Sequence, residues 1–250
     1  MKCCRRIIVV IGLLLGCAAF GQAAGEPDKM AQADALLASP NLDFPKAQQA
    51  LNLYEGLLQG PPPLLTRLAR ACFILGDVAP VKGRGLYYEK GLGYADRLLA
   101  QEPKGVAGHY WKAMNLSGLA DVGTQLQGFK LLPKIMEELK RVLVLDETYD
   151  DAGAHRVIGR IYFEAPSWPI SVGDKQKSLT HLTAAVRLAP NQSTNHLYLA
   201  ETMLDMGKKD EARAELQKVL QGGQHALTPK DLEEDRQEAR RLLKELETRK

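Results

Sequence analysis

The stretch from Lys177 to Gly222 leaves this chain little freedom of fold. It reads KSLTHLTAAVRLAP, then NHLYLAETMLDMG, then KKDEARAELQKVLQGG, three segments in which apolar residues recur at i, i+3 and i+4 with a turn signal after each. Leu179, Leu182, Ala185 and Val186 make the first stripe, Leu197, Leu199, Ala200 and Met203 the second, and Ala212, Leu216, Val219 and Leu220 the third. Ala200 and Ala212 put small side chains where two helices approach closely, and Gly207 closes the turn between them. Val219 lies 34 residues after Ala185, so the first and third segments are equivalent helices in register around a shared partner.

A 34-residue helix–turn–helix period is that of the tetratricopeptide (TPR) repeat. The fold expected is therefore all-α, a TPR-type solenoid of helical hairpins, with an irregular helical bundle as the alternative. The remaining sequence agrees. Helices are predicted over Asp28 to Ala38, Phe44 to Leu58, Leu64 to Leu75, Leu86 to Glu102, His109 to Leu119, Gln125 to Asp146 and Asp151 to Phe163. Gly60 and Pro61 to Pro63 stop the second, and Pro133 predicts a kink or a break in the sixth. A last helix starting at Thr228 and Pro229 carries one narrow apolar stripe, Leu232, Ala239, Leu242, Leu243 and Leu246, amid charge, which is the pattern of a solenoid cap. No period-two strand pattern is present.

The first residues, MKCCRRIIVVIGLLLGCAAFGQAAG, combine a basic start, an apolar run too short for a stable span, and small residues after it, as in a secretory signal over residues 1–24. Leu14-Leu15-Gly16-Cys17 resembles a lipobox with Cys17 as the lipidated residue, while Gly21-Gln22-Ala23 or Gln22-Ala23-Ala24 suits ordinary signal peptidase. The expected location is the periplasm, with the membrane reached through a lipid anchor alone. Removing the signal takes Lys2, Arg5 and Arg6 with it, and 33 minus 3 basic residues then balance 30 acidic ones. The basic character belongs to the targeting segment and gives no support for nucleic-acid binding. Cys72 is left alone on an apolar helix face, where a buried thiol is expected, and a disulfide framework is excluded. Residues 25–250 read as one helical domain.

Enzyme chemistry finds no foothold. His109, His155, His181, His196 and His225 make no zinc-binding spacing, Gly83-Arg84-Gly85 and Gly91-Leu92-Gly93 follow no strand, and Ser117, Ser167, Ser171 and Ser193 sit in no nucleophile elbow. The chain reads as non-enzymatic, with no cofactor and no metal. Binding residues are sought instead where the repeat is interrupted. Ala200 to Ala212 sets a spacing of 12 residues, whereas Gly159 to Ser178 takes 19, and the excess is FEAPSWPISVGD, Phe163 to Asp174. Insertions in solenoids go to loops on one face, and exposed aromatic loops commonly bind. Trp168 is thus a candidate anchor, or else a plug in the stack. Tyr110, Trp111 and Asn115 either line a groove or fill the core. His155, Arg156 and Arg160 form a basic edge that meets a carboxylate or simply faces solvent.

DDAGAHRVIGRIYFEAPSWPISVGD, followed by AVRLAP and LYLAETML, with HYWKAMNLSGLADVG and KIMEELKRVLVLDETYDDAGAH upstream, resembles the TPR component associated with tripartite ATP-independent periplasmic (TRAP) transporters. The resemblance spans roughly Leu64 to Leu220. It implies an envelope protein of stacked helix pairs, often lipid-anchored and trimeric, that partners a periplasmic solute-binding protein and holds an apolar carboxylate ligand. The family commonly has a double glycine before the loop aspartate, where this chain has only Gly173 before Asp174. The alternative function is a general envelope scaffold for assembling a membrane or secreted complex.

Overall fold

A computed structural model describes residues 26–57, 63–221 and 225–248. The export segment with Cys17, the Leu58 helix end and the Gly60 to Pro62 stop lie outside the described residues. Eleven α-helices and no strand are found among those residues. They pair as antiparallel hairpins: α1 (Glu26–Leu37) with α2 (Phe44–Glu55), α3 (Pro63–Val78) with α4 (Arg84–Gln101), α5 (Val106–Val122) with α6 (Gln125–Leu145), α7 (Tyr149–Glu164) with α8 (Lys175–Leu188), and α9 (Ser193–Asp205) with α10 (Lys209–Gln221). A closing helix, α11 (Pro229–Thr248), lies on α9 and α10.

Side chains at the helix starts explain where these segments begin. Asp43 accepts the backbone N–H of Lys46 ahead of Pro45, Thr124 and Gln127 form a reciprocal capping box on α6, and Asp174 accepts the N–H groups of Gln176 and Lys177 on α8. Thr228 and Asp231 exchange the same kind of bonds at the start of α11. Gly207, at φ 76°, takes the left-handed conformation that turns α9 into α10.

The register of the last three hairpins is visible in their cores. Leu139, Leu182 and Leu216 occupy one equivalent buried position, and Val142, Ala185 and Val219 occupy the next. Gly159 stands where α5 and α9 carry Ala113 and Ala200; a Cβ there would come within 2.6 Å of Leu182 Cγ, so the approach of α7 to α8 at this point calls for glycine. Two apolar clusters result, one running from Ala33 to Ile158 and one from Leu197 to Leu246.

Two features bear on what the sequence left open. The helix over Gln125–Leu145 runs through Pro133 without breaking in two. A proline costs one N–H bond, and packing against α5 along the rest of the helix is enough to hold it together. The cap also does more than cover the last repeat. The segment leading into α11 crosses back over the solenoid: His225 N–H donates to Asn191 O at 3.1 Å, and Arg70, far away on α3, donates to Leu227 O at 2.9 Å. Leu227 thereby joins the first apolar cluster.

Tyr88 on α4 shows how tightly the first hairpins are set. Its buried ring lies between Gly76 and Gly118, where a Cβ at either position would overlap it, and its hydroxyl donates to Asp77 at 2.6 Å. Gly118→Ala is therefore expected to destabilise the protein by about 1–3 kcal/mol through overpacking, measured by urea unfolding.

Candidate functional site

Arg156 is the polar centre of the stack. The residue is 8% exposed. Nη2 donates to Asp150 Oδ2 at 2.8 Å and to the Tyr110 hydroxyl at 3.2 Å, and Nη1 donates to the carbonyls of Asp150 and Asp151, each at 3.2 Å, and to Asn195 Oδ1 at 3.3 Å. Tyr110 donates to the same Asp150 Oδ2 at 2.5 Å, and Asn195 Nδ2 donates to Asp151 O at 3.1 Å. Burial works against the guanidinium's charge, but Tyr110 and Asp150 outweigh it and leave the pKa above its ordinary value. The Tyr110 phenol is pushed well up by burial and then by Asp150.

These bonds hold an unusual backbone. Asp150, Asp151 and Ala152 have φ of 52°, 53° and 60°, three successive left-handed residues at the start of α7. Each costs about 1–2 kcal/mol in an L-residue, and aspartate tolerates the conformation better than alanine. Gly153 follows, because a Cβ there would run into the Tyr110 ring.

Beside this turn lies a cavity of about 350 Å³. Phe73, Met114 and Ile161 give it an apolar wall, and Arg156 and Arg160 are its only cationic lining residues among those described. Arg160 pairs with Glu164 at 2.5 Å and with Glu201, and stacks over the Tyr198 ring at 4.4 Å. Both arginines thus face carboxylates of this chain, and the expected basic edge becomes an internally neutralised one. Four further carboxylates, Asp77, Asp121, Asp231 and Asp235, line the cavity without a salt bridge among the described residues. Burial pushes Asp77 up to about 6, with the Tyr88 hydrogen bond opposing, and pushes Asp235 up to about 6 against the Ser193 and Thr194 hydroxyls.

The other residues singled out in the sequence are dispersed. Trp111 and Asn115 are buried; Asn115 Nδ2 donates to Trp111 O at 2.8 Å and Ala69 O at 3.2 Å, so this pair is core, although Trp111 also borders a second hollow on the far side of Asp150. Phe163 lies beneath Lys175, whose Nζ is 3.8 Å from its ring centroid. Asp174 caps α8.

Trp168 is 85% exposed and Ile170 72%, on a loop with a closed base. Gly173 N–H donates to Pro166 O at 2.9 Å, Asp174 N–H to Tyr162 O at 2.9 Å, and Ile170 N–H to Ser167 O at 3.1 Å. A Cβ at position 173 would collide with the Ala165 carbonyl, so the single glycine that this chain keeps sits at the point of closest backbone approach. The Trp168–Pro169 peptide is cis. Between the loop and α6 runs a groove lined by Phe129, Leu132, Pro133, Met136, Ile170 and Val172, and Leu126, 62% exposed, lies at the start of the same helix.

His155 belongs to a repeated motif that sequence reading missed. His109 and His196, each fourth in its helix, place Nδ1 2.5 Å from a glutamate of the following helix, Glu138 or Glu215, and donate through Nε2 to the carbonyl of Pro103 or Pro190. His155 is the equivalent residue of the middle hairpin, but its partner is His181, with the two Nδ1 atoms 3.0 Å apart. Aligning the core leucines 139, 182 and 216 would have exposed the substitution, since the partner precedes each.

All-α hairpins in this register define a TPR-class helical solenoid. It resembles the crystal structure of a thermophilic TPR protein from Thermus thermophilus with a TM-score of 0.66 and 24% identity, over 88% of this chain and 99% of that one. The family described as TRAP transporter T-component matches residues 85–248, more than half of the chain, and the chain belongs to that family. No curated protein matches it.

The His155–His181 pair sets a pH dependence. Burial, and then the charge of His155, hold the His181 pKa down to about 4, and burial also lowers that of His155, despite Glu147 nearby. The unfolded chain therefore takes up protons first, near the ordinary histidine pKa of about 6.5, and the pair removes stability as pH falls from there toward 4. His181→Glu restores the pairing of the flanking hairpins. Its melting temperature is expected to fall less than that of the wild type between pH 7.5 and 5.5, as read by calorimetry.

Proposed function

We propose that this TRAP transporter T-component is a non-enzymatic envelope scaffold that docks a periplasmic solute-binding protein through the inserted loop. The observation that carries the reading is the exposure of Trp168 and Ile170 on a loop whose base is fixed by backbone hydrogen bonds. A large apolar side chain on a fixed base loses little conformational entropy on contact, which is the property of an interface anchor. The groove against α6 offers the partner an apolar seat beside it. Export by residues 1–24 and lipidation at Cys17 would hold the scaffold at the membrane where a solute-binding protein circulates. No helix among the described residues is long and apolar enough to cross a membrane. The apolar carboxylate ligand implied by the family resemblance is not routed through Arg156 and Arg160, since both are paired within the chain.

Trp168→Ala is expected to weaken binding to the solute-binding protein by about 1–3 kcal/mol in titration calorimetry while leaving the melting temperature nearly unchanged. Normal binding with a large drop in melting temperature would make Trp168 a structural plug and move the docking surface elsewhere.

A further inference from the structure

Within each flanking hairpin a histidine of the first helix meets a glutamate of the second, but in the hairpin of α7 and α8 His155 meets His181, 26 residues away along the chain and brought to it only by the fold. The two Nδ1 atoms are 3.0 Å apart and the ring centres 5.1 Å apart, so both nitrogens lie close to the line joining the rings and point at one another. Between them there is room for one hydrogen. His155 Nε2 lies 3.6 Å from Glu147 Oε2, which places a hydrogen on Nε2 and leaves His155 Nδ1 bare, with His181 Nδ1 as the donor. A carboxylate on the far nitrogen of the ring is the arrangement that orients a histidine as a metal ligand. No group of three or more side chains suited to a metal ion occurs among the described residues, so an ion that requires three or four protein ligands finds no site among them. Glu147 and Arg187 also oppose each other at His155, leaving no surplus negative charge there to favour a divalent ion.

We propose that His155 and His181 bind a monovalent, two-coordinate metal ion of the copper(I) and silver(I) class, held in line between the two Nδ1 atoms. Two neutral imidazole nitrogens facing head-on are a complete ligand set for such an ion, whereas zinc or copper(II) needs further donors that the site does not offer. Binding forms two nitrogen–metal bonds. The hydrogen of His181 passes from Nδ1 to Nε2 through solvent, so no net proton is released at neutral pH, and the rings separate slightly to admit the ion. Glu147 keeps its place at His155 Nε2, and the Tyr162 ring, 5.8 Å from that of His181, borders the site. The ion would fasten α7 to α8 as the histidine–glutamate pairs fasten the hairpins on either side. The site uses neither Trp168 nor the groove on α6, so failure of either reading leaves the other standing.

The test titrates the mature chain with copper(I), kept reduced by ascorbate and in competition with bicinchoninate, and reads the bound ion by X-ray absorption. One equivalent is expected, with two nitrogen neighbours and no sulfur, and zinc chloride should bind at least tenfold more weakly. His181→Glu, which restores the pairing of the flanking hairpins and should keep the helical circular dichroism spectrum, is expected to weaken copper(I) at least tenfold. Cys72→Ala should leave the affinity unchanged, since the buried thiol takes no part. In the unmutated chain, one equivalent of copper(I) should raise the melting temperature, a readout that needs no variant. Absence of copper(I) binding, a sulfur neighbour, zinc binding of equal strength, loss of affinity in Cys72→Ala, an unchanged affinity in His181→Glu, or a melting temperature that copper(I) does not raise would each overturn the proposal.

Discussion

A buried guanidinium must be matched or the fold fails, and Arg156 is matched from three helices. Removing a charge from water costs several kcal/mol even after relaxation, and only close opposite charge with further hydrogen bonds offsets that cost. Asp150 supplies the charge, Tyr110 of α5 and Asn195 of α9 supply polar contacts, and the Asp150 and Asp151 carbonyls complete the set. Those carbonyls are available because Asp150 to Ala152 turn left-handed, a conformation that is itself unfavourable for these residues. The two costs add, and the ion pair and hydrogen bonds around Arg156 have to offset both. Asp150 also borders the cavities on both sides of the turn, so the shape of that surface depends on the same interaction.

The solenoid outside this hub is close to regular, and its irregularities coincide. The hairpin of α7 and α8 alone carries the left-handed start, the His155–His181 pair in place of a histidine–glutamate pair, and the inserted loop. Its neighbours use His109 with Glu138 and His196 with Glu215 to join each helix to the next. The middle hairpin is instead joined by the weaker histidine pair, by Lys175 over Phe163, and by the backbone bonds that close the loop base.

Periodicity is local, and what depended on it was legible: the 34-residue register, the hairpin order and the single-faced last helix all follow from residues within a few turns of one another. Charge pairing is not local. The partners of Arg160 include Glu201, in the next hairpin, so the sequence suggested an open basic edge where the fold builds a neutralised one. The cavity acids without a salt bridge among the described residues lie at 77, 121, 231 and 235, and only the return of the α11 connector brings those of α11 to those of α3 and α5. Which of the two outcomes open at Pro133 the helix takes was hidden for a related reason, because the packing that carries α6 through it without a break comes from α5. Trp111 and Asn115 share a helix face, but the sequence could not say that Ala69 and Gly91 would press against that face and make it core. The inserted loop was visible as a break in the count; its closed base was not, since it depends on Gly173 approaching the Ala165 carbonyl.

A double-mutant cycle on Arg156→Met and Asp150→Asn, read by chemical unfolding with circular dichroism, addresses the hub directly. If Arg156 and Asp150 balance each other, Arg156→Met alone should cost about 3–5 kcal/mol by stranding the carboxylate, and the double variant should lose clearly less than the sum of the two single losses. Strictly additive losses, or a single loss below about 1 kcal/mol, would mean that the turn and the helices around it are held by something other than this ion pair.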